Sequence, residues 1–165
     1  VTNAFRIAWF KVHIPLAYYC AYFTIRAKQF DTEVMCYGKE RVLKRMQEID
    51  EAGNSAANKD LEMYPVLELV LELYERGYSF LPVDLYKSHS TNFLIEDGAI
   101  RPPLNSIPGL GTVAAEGIYA EACKEEFECI DDLQERSHCG KSVIELLEKF
   151  GCLKGMTQSN QLSFF

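Results

Sequence analysis

The residues with the most evident chemical use lie in Asn105-Ser106-Ile107-Pro108-Gly109-Leu110-Gly111-Thr112-Val113-Ala114-Ala115. A short helix runs into Pro108-Gly109-Leu110-Gly111, and a new helix starts at about Thr112. Glycine tolerates a positive φ and carries no side chain, so another backbone can come close. The first amides of the new helix have no partner inside it and sit at the positive end of its dipole. They can hold an anion, and a DNA phosphate is the natural candidate. Leu110 is expected to tuck into the core and pin the turn, while Ala114 and Ala115 let two helices pack closely. Contacts of this kind fix position and read no base sequence. The same residues also suit an ordinary bend between two helices.

A second unit of similar layout follows. Ile130-Asp131-Asp132-Leu133 opens a helix, Ser137-His138-Cys139-Gly140-Lys141 makes a turn, and Val143, Ile144, Leu146 and Leu147 pack the next helix. This turn has one glycine and no proline. Lys141 is its best phosphate contact, and the alternative is a turn that serves packing, with Lys141 simply solvated. Asp131-Asp132 opens an amphipathic helix, which suits capping and solvation better than metal binding. Cys123, Cys129, His138 and Cys139 match no common zinc spacing, so no metal is expected. The chain closes on Gln161-Leu162-Ser163-Phe164-Phe165 behind the polar leader Thr157–Asn160. Leu162 and two rings can fill an apolar pocket on a partner, with Gln161 at its rim.

The elements that must position these groups are mostly helical. Residues 3–13 form one helical segment, with Phe5, Ala8, Trp9 and Val12 on a face. Pro15 breaks it, and residues 16–28 are helical again and rich in tyrosine and phenylalanine. Arg6, Lys11, Arg26 and Lys28 flank those rings, but an aromatic stripe at helical spacing reads first as core. A third helix, capped by Asp31 or Thr32, runs through Val34, Leu43, Met46 and Ile49 to Gly53. A fourth spans about 61–76, with Pro65 near its start and Gly77 at its end. Val83–Tyr86 and Phe93–Ile95 read as short strands, with Asp97-Gly98 as a hairpin turn and Ala99-Ile100 returning. Short helices follow at about 104–107, 112–123, 130–136 and 140–149. The expected organisation is a helical region 1–77, a small β element 78–101, a paired hairpin domain 102–153 and a flexible tail 154–165.

Composition narrows the function classes. The 165 residues are 48% hydrophobic and 25% charged, enough for a packed core. A net charge of −7 argues against a surface that binds nucleic acid everywhere. The charge is uneven, however: residues 1–30 carry no carboxylate, and residues 98–115 carry only Arg101. Any contact with DNA is therefore expected to be local, or to lean on backbone amides more than on lysine and arginine. The six cysteines sit in helical patterns, which fits a reduced, cytoplasmic setting. No apolar run approaches a membrane span. The chain opens on Val1 in what reads as the middle of a helix, which suggests a piece of a longer protein.

The segment 105–115 resembles the helix-hairpin-helix family. That resemblance implies that the carbonyls of Asn105, Ile107 and Leu110 hold a monovalent cation. It further implies that the amides of Gly109, Gly111 and Val113, with Thr112 at the helix start, face DNA phosphates. Two such units often pair as one four-helix domain. Residues 161–165 are similar to the sliding-clamp motif of bacterial replication proteins, with Phe164 where leucine is commoner. As a whole the chain looks like the C-terminal part of the PolC-type DNA polymerase III family. Ala4–His13 with Pro15, Glu75–Tyr78, Val83–Tyr86, Ile107–Gly111 and Gly151–Leu153 carry that resemblance, in order and spacing. It implies a mainly α fold: a fingers-like helical segment, a small β-hairpin region, and a tandem helix-hairpin-helix domain. The implied activity is DNA-templated nucleotide addition, with Mg2+ on palm carboxylates upstream of this chain. No catalytic residue is expected here. The implied partners are duplex DNA backbone, a bacterial sliding clamp and the upstream polymerase domains. A helix-hairpin-helix repair factor with its own clamp tail is the alternative.

Overall fold

Pro15 decides how the chain begins. In the computed structural model, which describes residues 2–159, α1 (Thr2–His13) ends before it and α2 (Pro15–Ile25) restarts on it. A proline in the first turn of a helix loses no hydrogen bond. The apolar face expected on α1 enters no core: Phe5, Trp9 and Val12 are all exposed. α2 is different, because Tyr19 and Phe23 are fully buried. The ring of Phe30 lies 5.3 Å from Phe23 and 4.7 Å from Phe93. Burying each such ring contributes about 1.5–3 kcal/mol, so the stripe on α2 is core, as its spacing predicts.

The third predicted helix is two. α3 (Thr32–Met35) stops at Cys36, and α4 (Lys39–Ala52) starts after Gly38, whose φ is +108°. Asp31 is the cap of α3, accepting hydrogen bonds from the amides of Glu33 at 2.9 Å and Val34 at 3.3 Å. A single helix through 38 would have needed a helical φ there, and glycine gives that up readily. α5 (Asn58–Glu75) begins earlier than expected, which puts Pro65 in its interior and not near its start. Packing overrides the propensity cost: Met63, Val66, Leu67, Leu69, Val70 and Leu73 are all buried. α5 is thus the spine of the first core, which gathers Tyr19, Phe23, Phe30, Met35, Val42 and Ile100 around it.

A two-stranded antiparallel hairpin follows. β1 (Leu94–Glu96) and β2 (Ala99–Arg101) pair Leu94 with Arg101, Ile95 with Ile100 and Glu96 with Ala99, across the turn Asp97-Gly98. The strand predicted over Val83–Tyr86 is absent. Val83 and Leu85 are buried as the alternation requires. The Asp84 carboxylate, however, accepts hydrogen bonds from the amides of Tyr86 and Lys87, both at 2.9 Å. An aspartate that bonds its own downstream amides makes a turn and takes them from any strand ladder.

Three helices complete the described residues: α6 (Thr112–Ala122), α7 (Ile130–Ser137) and α8 (Lys141–Lys149). They close a second core around Leu104, Ile107, Leu110, Ile118, Leu133 and Leu147. The chain after α8 is not loose as far as Gln158. The carbonyls of Thr157 and Gln158 accept from the first amides of α7, Ile130 at 3.0 Å and Asp131 at 3.1 Å. The fold is mainly α, as expected. Among the described residues no helix is long and apolar enough to cross a membrane.

Candidate nucleic-acid interface

The leading arm of the first hairpin is a single 3₁₀ turn, Leu104–Ser106. The next four residues make a β-turn in which the amide of Leu110 donates to the carbonyl of Ile107 at 3.0 Å. Pro108 occupies its second position and Gly109, with φ +90°, its third, the arrangement of a type II turn. Ile107 (1% exposed) and Leu110 (4% exposed) anchor the turn from below. Gly109 comes so close to α8 that an added Cβ would stand 3.3 Å from Leu146 Cδ1.

Gly111 then caps α6 with an ordinary extended backbone, φ −70° and ψ 153°. The first backbone bond of the helix runs from the Ala115 amide to the Gly111 carbonyl at 3.0 Å. The amides of Thr112, Val113 and Ala114 thus have no partner inside the helix. No side chain caps them. Val113 is 84% exposed, and a Cβ added at Gly111 would meet nothing within 4 Å. The positive end of an eleven-residue helix therefore stands open to solvent beside a glycine that leaves room for approach.

The second hairpin repeats this geometry in register. His138 takes the left-handed conformation with φ +52°, matching Gly109. Cys139 (6% exposed) is the buried anchor, matching Leu110. Gly140, φ −75° and ψ 161°, caps α8 as Gly111 caps α6. A histidine in the left-handed region is uncommon but tolerated, which is why this turn manages with one glycine and no proline. Lys141 is exposed at the start of α8. The hollow beside this turn is lined by Asp131, Gln134, Glu135, His138 and Cys139, so its field is acidic where the first hairpin's is not.

Supporting residues lie outside both turns. Thr32 and Ser106 are buried, and the Thr32 hydroxyl lies 2.7 Å from the Ser106 carbonyl oxygen and 2.8 Å from its Oγ. Ser106 Oγ in turn donates to the Pro103 carbonyl at 2.6 Å. This chain of bonds ties the first hairpin to α3, 74 residues away in sequence. In α6, Gly117 lets α7 approach, since a Cβ there would stand 3.3 Å from the Ser137 carbonyl oxygen. A glycine in mid-helix was the available signal for Gly117; nothing local marked the Thr32–Ser106 pair. Asp132 accepts from the Glu128 amide at 3.1 Å, the capping role its position suggests. Among the described residues no three His, Cys, Asp or Glu side chains gather as metal ligands. The segment Gln161, Leu162, Ser163, Phe164 and Phe165 lies outside the described residues.

Comparison with known proteins matches residues 77–162 to the helix-hairpin-helix motif. The chain belongs to the helix-hairpin-helix family. Both hairpins, from Leu104 to Lys149, fall inside the matched stretch. Relatives also extend beyond the helix-hairpin-helix region. All 165 residues are 47% identical to DNA polymerase III PolC-type of Clostridium perfringens and of Bacillus subtilis. They are 44% identical to that of Listeria monocytogenes. The chain spans only 11–12% of the length of these relatives. The PolC-type resemblance read from scattered motifs therefore holds along the whole chain.

Proposed function

We propose that this chain is the duplex-holding and clamp-tethering portion of a bacterial replicative DNA polymerase, with the nucleotidyl-transfer site elsewhere in the parent protein. The observation that carries this reading is the open amide end of α6. Thr112, Val113 and Ala114 offer unpartnered donors beside Gly111, in a segment with no carboxylate from Gly98 to Ala115. A phosphate docks there without a lysine or arginine, which suits a chain of net charge −7. The amides of Gly109, Gly111 and Val113 face the same side of the hairpin in this reading. Lys141 adds one cation at the second hairpin. The carbonyls of Asn105, Ile107 and Leu110 are the donors for a monovalent cation. Carbonyl oxygens suit a hard ion, and the Oδ1 of Asn105 itself is a buried oxygen without a partner. Mg2+ belongs to the carboxylates of the upstream catalytic part and not to this chain.

Full-length likeness to PolC-type polymerases supports the replicative reading over a free-standing repair factor, because it includes residues 1–76, outside the helix-hairpin-helix match. The C-terminal Gln161–Phe165 supplies the clamp contact, and the tether raises the local concentration of duplex at the hairpins. A cytoplasmic setting follows from the same reading. The test is twofold. Gly111→Val should weaken duplex binding without unfolding the chain. Removing Gln161–Phe165 should abolish capture by a purified bacterial sliding clamp. Unchanged duplex affinity in folded Gly111→Val would remove the hairpin from the reading, and clamp capture that survives the deletion would remove the tail.

A further inference from the structure

The first hairpin does not stand alone. Against it lies the short 3₁₀ turn Ala27–Gln29 that follows α2. A cavity of about 640 Å³ opens between them, lined by Thr24, Arg26, Lys28, Asn92, Asn105 and Thr112 among others. A second cavity of about 180 Å³ adjoins it, sharing Ala27, Lys28 and Asn105 and adding Lys59 and the turn Pro108–Leu110. Together they form a trough of mixed polar and apolar lining that includes Thr112, the first residue of α6, and the turn Pro108–Leu110 of the hairpin.

The charges that line this trough are mostly cationic. Several cations elsewhere are held by the chain's own carboxylates, as Lys11 is by Glu72, Arg45 by Glu48 and Asp60, Arg101 by Glu96 and Arg136 by Glu121 and Asp132, while Arg6, Arg41, Lys44, Lys141 and Lys154 form no ion pair among the described residues and line neither cavity. Arg26, Lys28 and Lys59 form no ion pair among the described residues, and all three are exposed. The three line adjoining cavities beside the first hairpin, so their charges act on one place. The one carboxylate lining either cavity is Asp31, and its Oδ1 is already engaged by the amides of Glu33 and Val34. The other polar linings, Thr24, Gln29, Thr91 and Asn92, are neutral.

We propose that this trough is a second backbone site for duplex DNA, in which Arg26, Lys28 and Lys59 receive the phosphates that neighbour the one docked on the amides of α6. The inference rests on the hairpin holding duplex, and it adds a cationic contact from the N-terminal half of the chain. A strand seated at Thr112 meets Lys28 next because Thr112 lines the same cavity. The division of labour is physical. The hairpin supplies oriented amides, which hold one phosphate closely. The trough supplies exposed cations, which add affinity through counterion release.

The experiment compares four forms of the 165-residue chain on a labelled duplex across a salt series: the unsubstituted chain, Gly111→Val, a trough variant and a control. The trough variant carries Arg26→Gln, Lys28→Gln and Lys59→Gln. A control carries Arg6→Gln, Lys44→Gln and Lys154→Gln, which removes the same charge from exposed cations that line neither cavity. Exposed substitutions of this kind leave the fold intact. We expect the trough variant to bind about tenfold or more weakly at low salt, with a salt slope shallower by about 2 to 3, at roughly 0.9 for each phosphate no longer neutralised. The control should change the slope by less than about 1. If the trough variant matches the control while Gly111→Val still weakens binding, the trough is overturned and the hairpin reading stands. If the unsubstituted chain shows no duplex binding at low salt, both are overturned.

Discussion

Replacing Gly109 by alanine separates the two uses of glycine in the first hairpin. The position has φ +90°, where an L side chain is strained whatever space surrounds it. Holding alanine in that region costs about 1–3 kcal/mol. The new methyl would also stand 3.3 Å from Leu146 Cδ1, a contact that the half-buried leucine relieves by moving a few tenths of an ångström. The sum is about 2 kcal/mol, which for a chain of this size lowers the melting temperature by about 4–8 °C. Gly111→Ala is the internal comparison. Its backbone is already extended, nothing lies within 4 Å of the new methyl, and stability should change by no more than about 0.5 kcal/mol. Thermal unfolding followed by circular dichroism reads both. Equal melting temperatures for Gly109→Ala and the unsubstituted chain would refute the argument that the turn depends on a left-handed residue.

Other expectations follow from individual side chains. Thr32→Val keeps the shape of the side chain but leaves the buried Ser106 carbonyl without its donor, at a cost of about 1–3 kcal/mol; urea denaturation with an unchanged midpoint would contradict this. Burial alone would raise the Glu72 carboxyl, but hydrogen bonds from Lys11 and Tyr19 and the charges of Lys11 and Arg76 bring it below its ordinary value. Its contribution to stability is therefore present above the ordinary carboxylate pKa of about 4.3 and is lost as pH falls through the lower folded value. Glu72→Gln should flatten that part of an acid titration of stability, and a titration identical to the unsubstituted chain's would exclude the assignment. Burial pushes the thiols of Cys20 and Cys152 up to about 12, and burial followed by the Asp31 charge pushes Cys36 well up. Cys123 is exposed, so mild alkylation of the native chain should label it first. Early label on Cys20 or Cys152, located by peptide mass mapping, would show that the packing around them is wrong.

Much of this molecule was legible in the order of its residues. Proline and glycine act locally, so the restart at Pro15, the turn at Asp97-Gly98 and the break at Pro108–Gly111 need only the neighbouring residues. Helical periodicity placed α6, α7 and α8, because each shows its apolar face to one core. The departures fall where a long-range interaction outvotes a local preference. Pro65 sits inside α5 because six buried side chains hold the helix through it. Val83–Tyr86 alternates like a strand, but Asp84 claims its own amides. The stripe on α1 has the spacing of a core face and remains exposed. The candidate site divides in the same way. Its turn, its buried anchor and its open helix end belong to eleven consecutive residues, 105–115, and the backbone chemistry of glycine and proline dictates them. The equivalence of His138 to Gly109, the tie from Thr32 to Ser106, and the meeting of Arg26, Lys28 and Lys59 at the hairpin join residues far apart in the chain. No local rule specifies such relations, since they depend on how elements distant in sequence pack together.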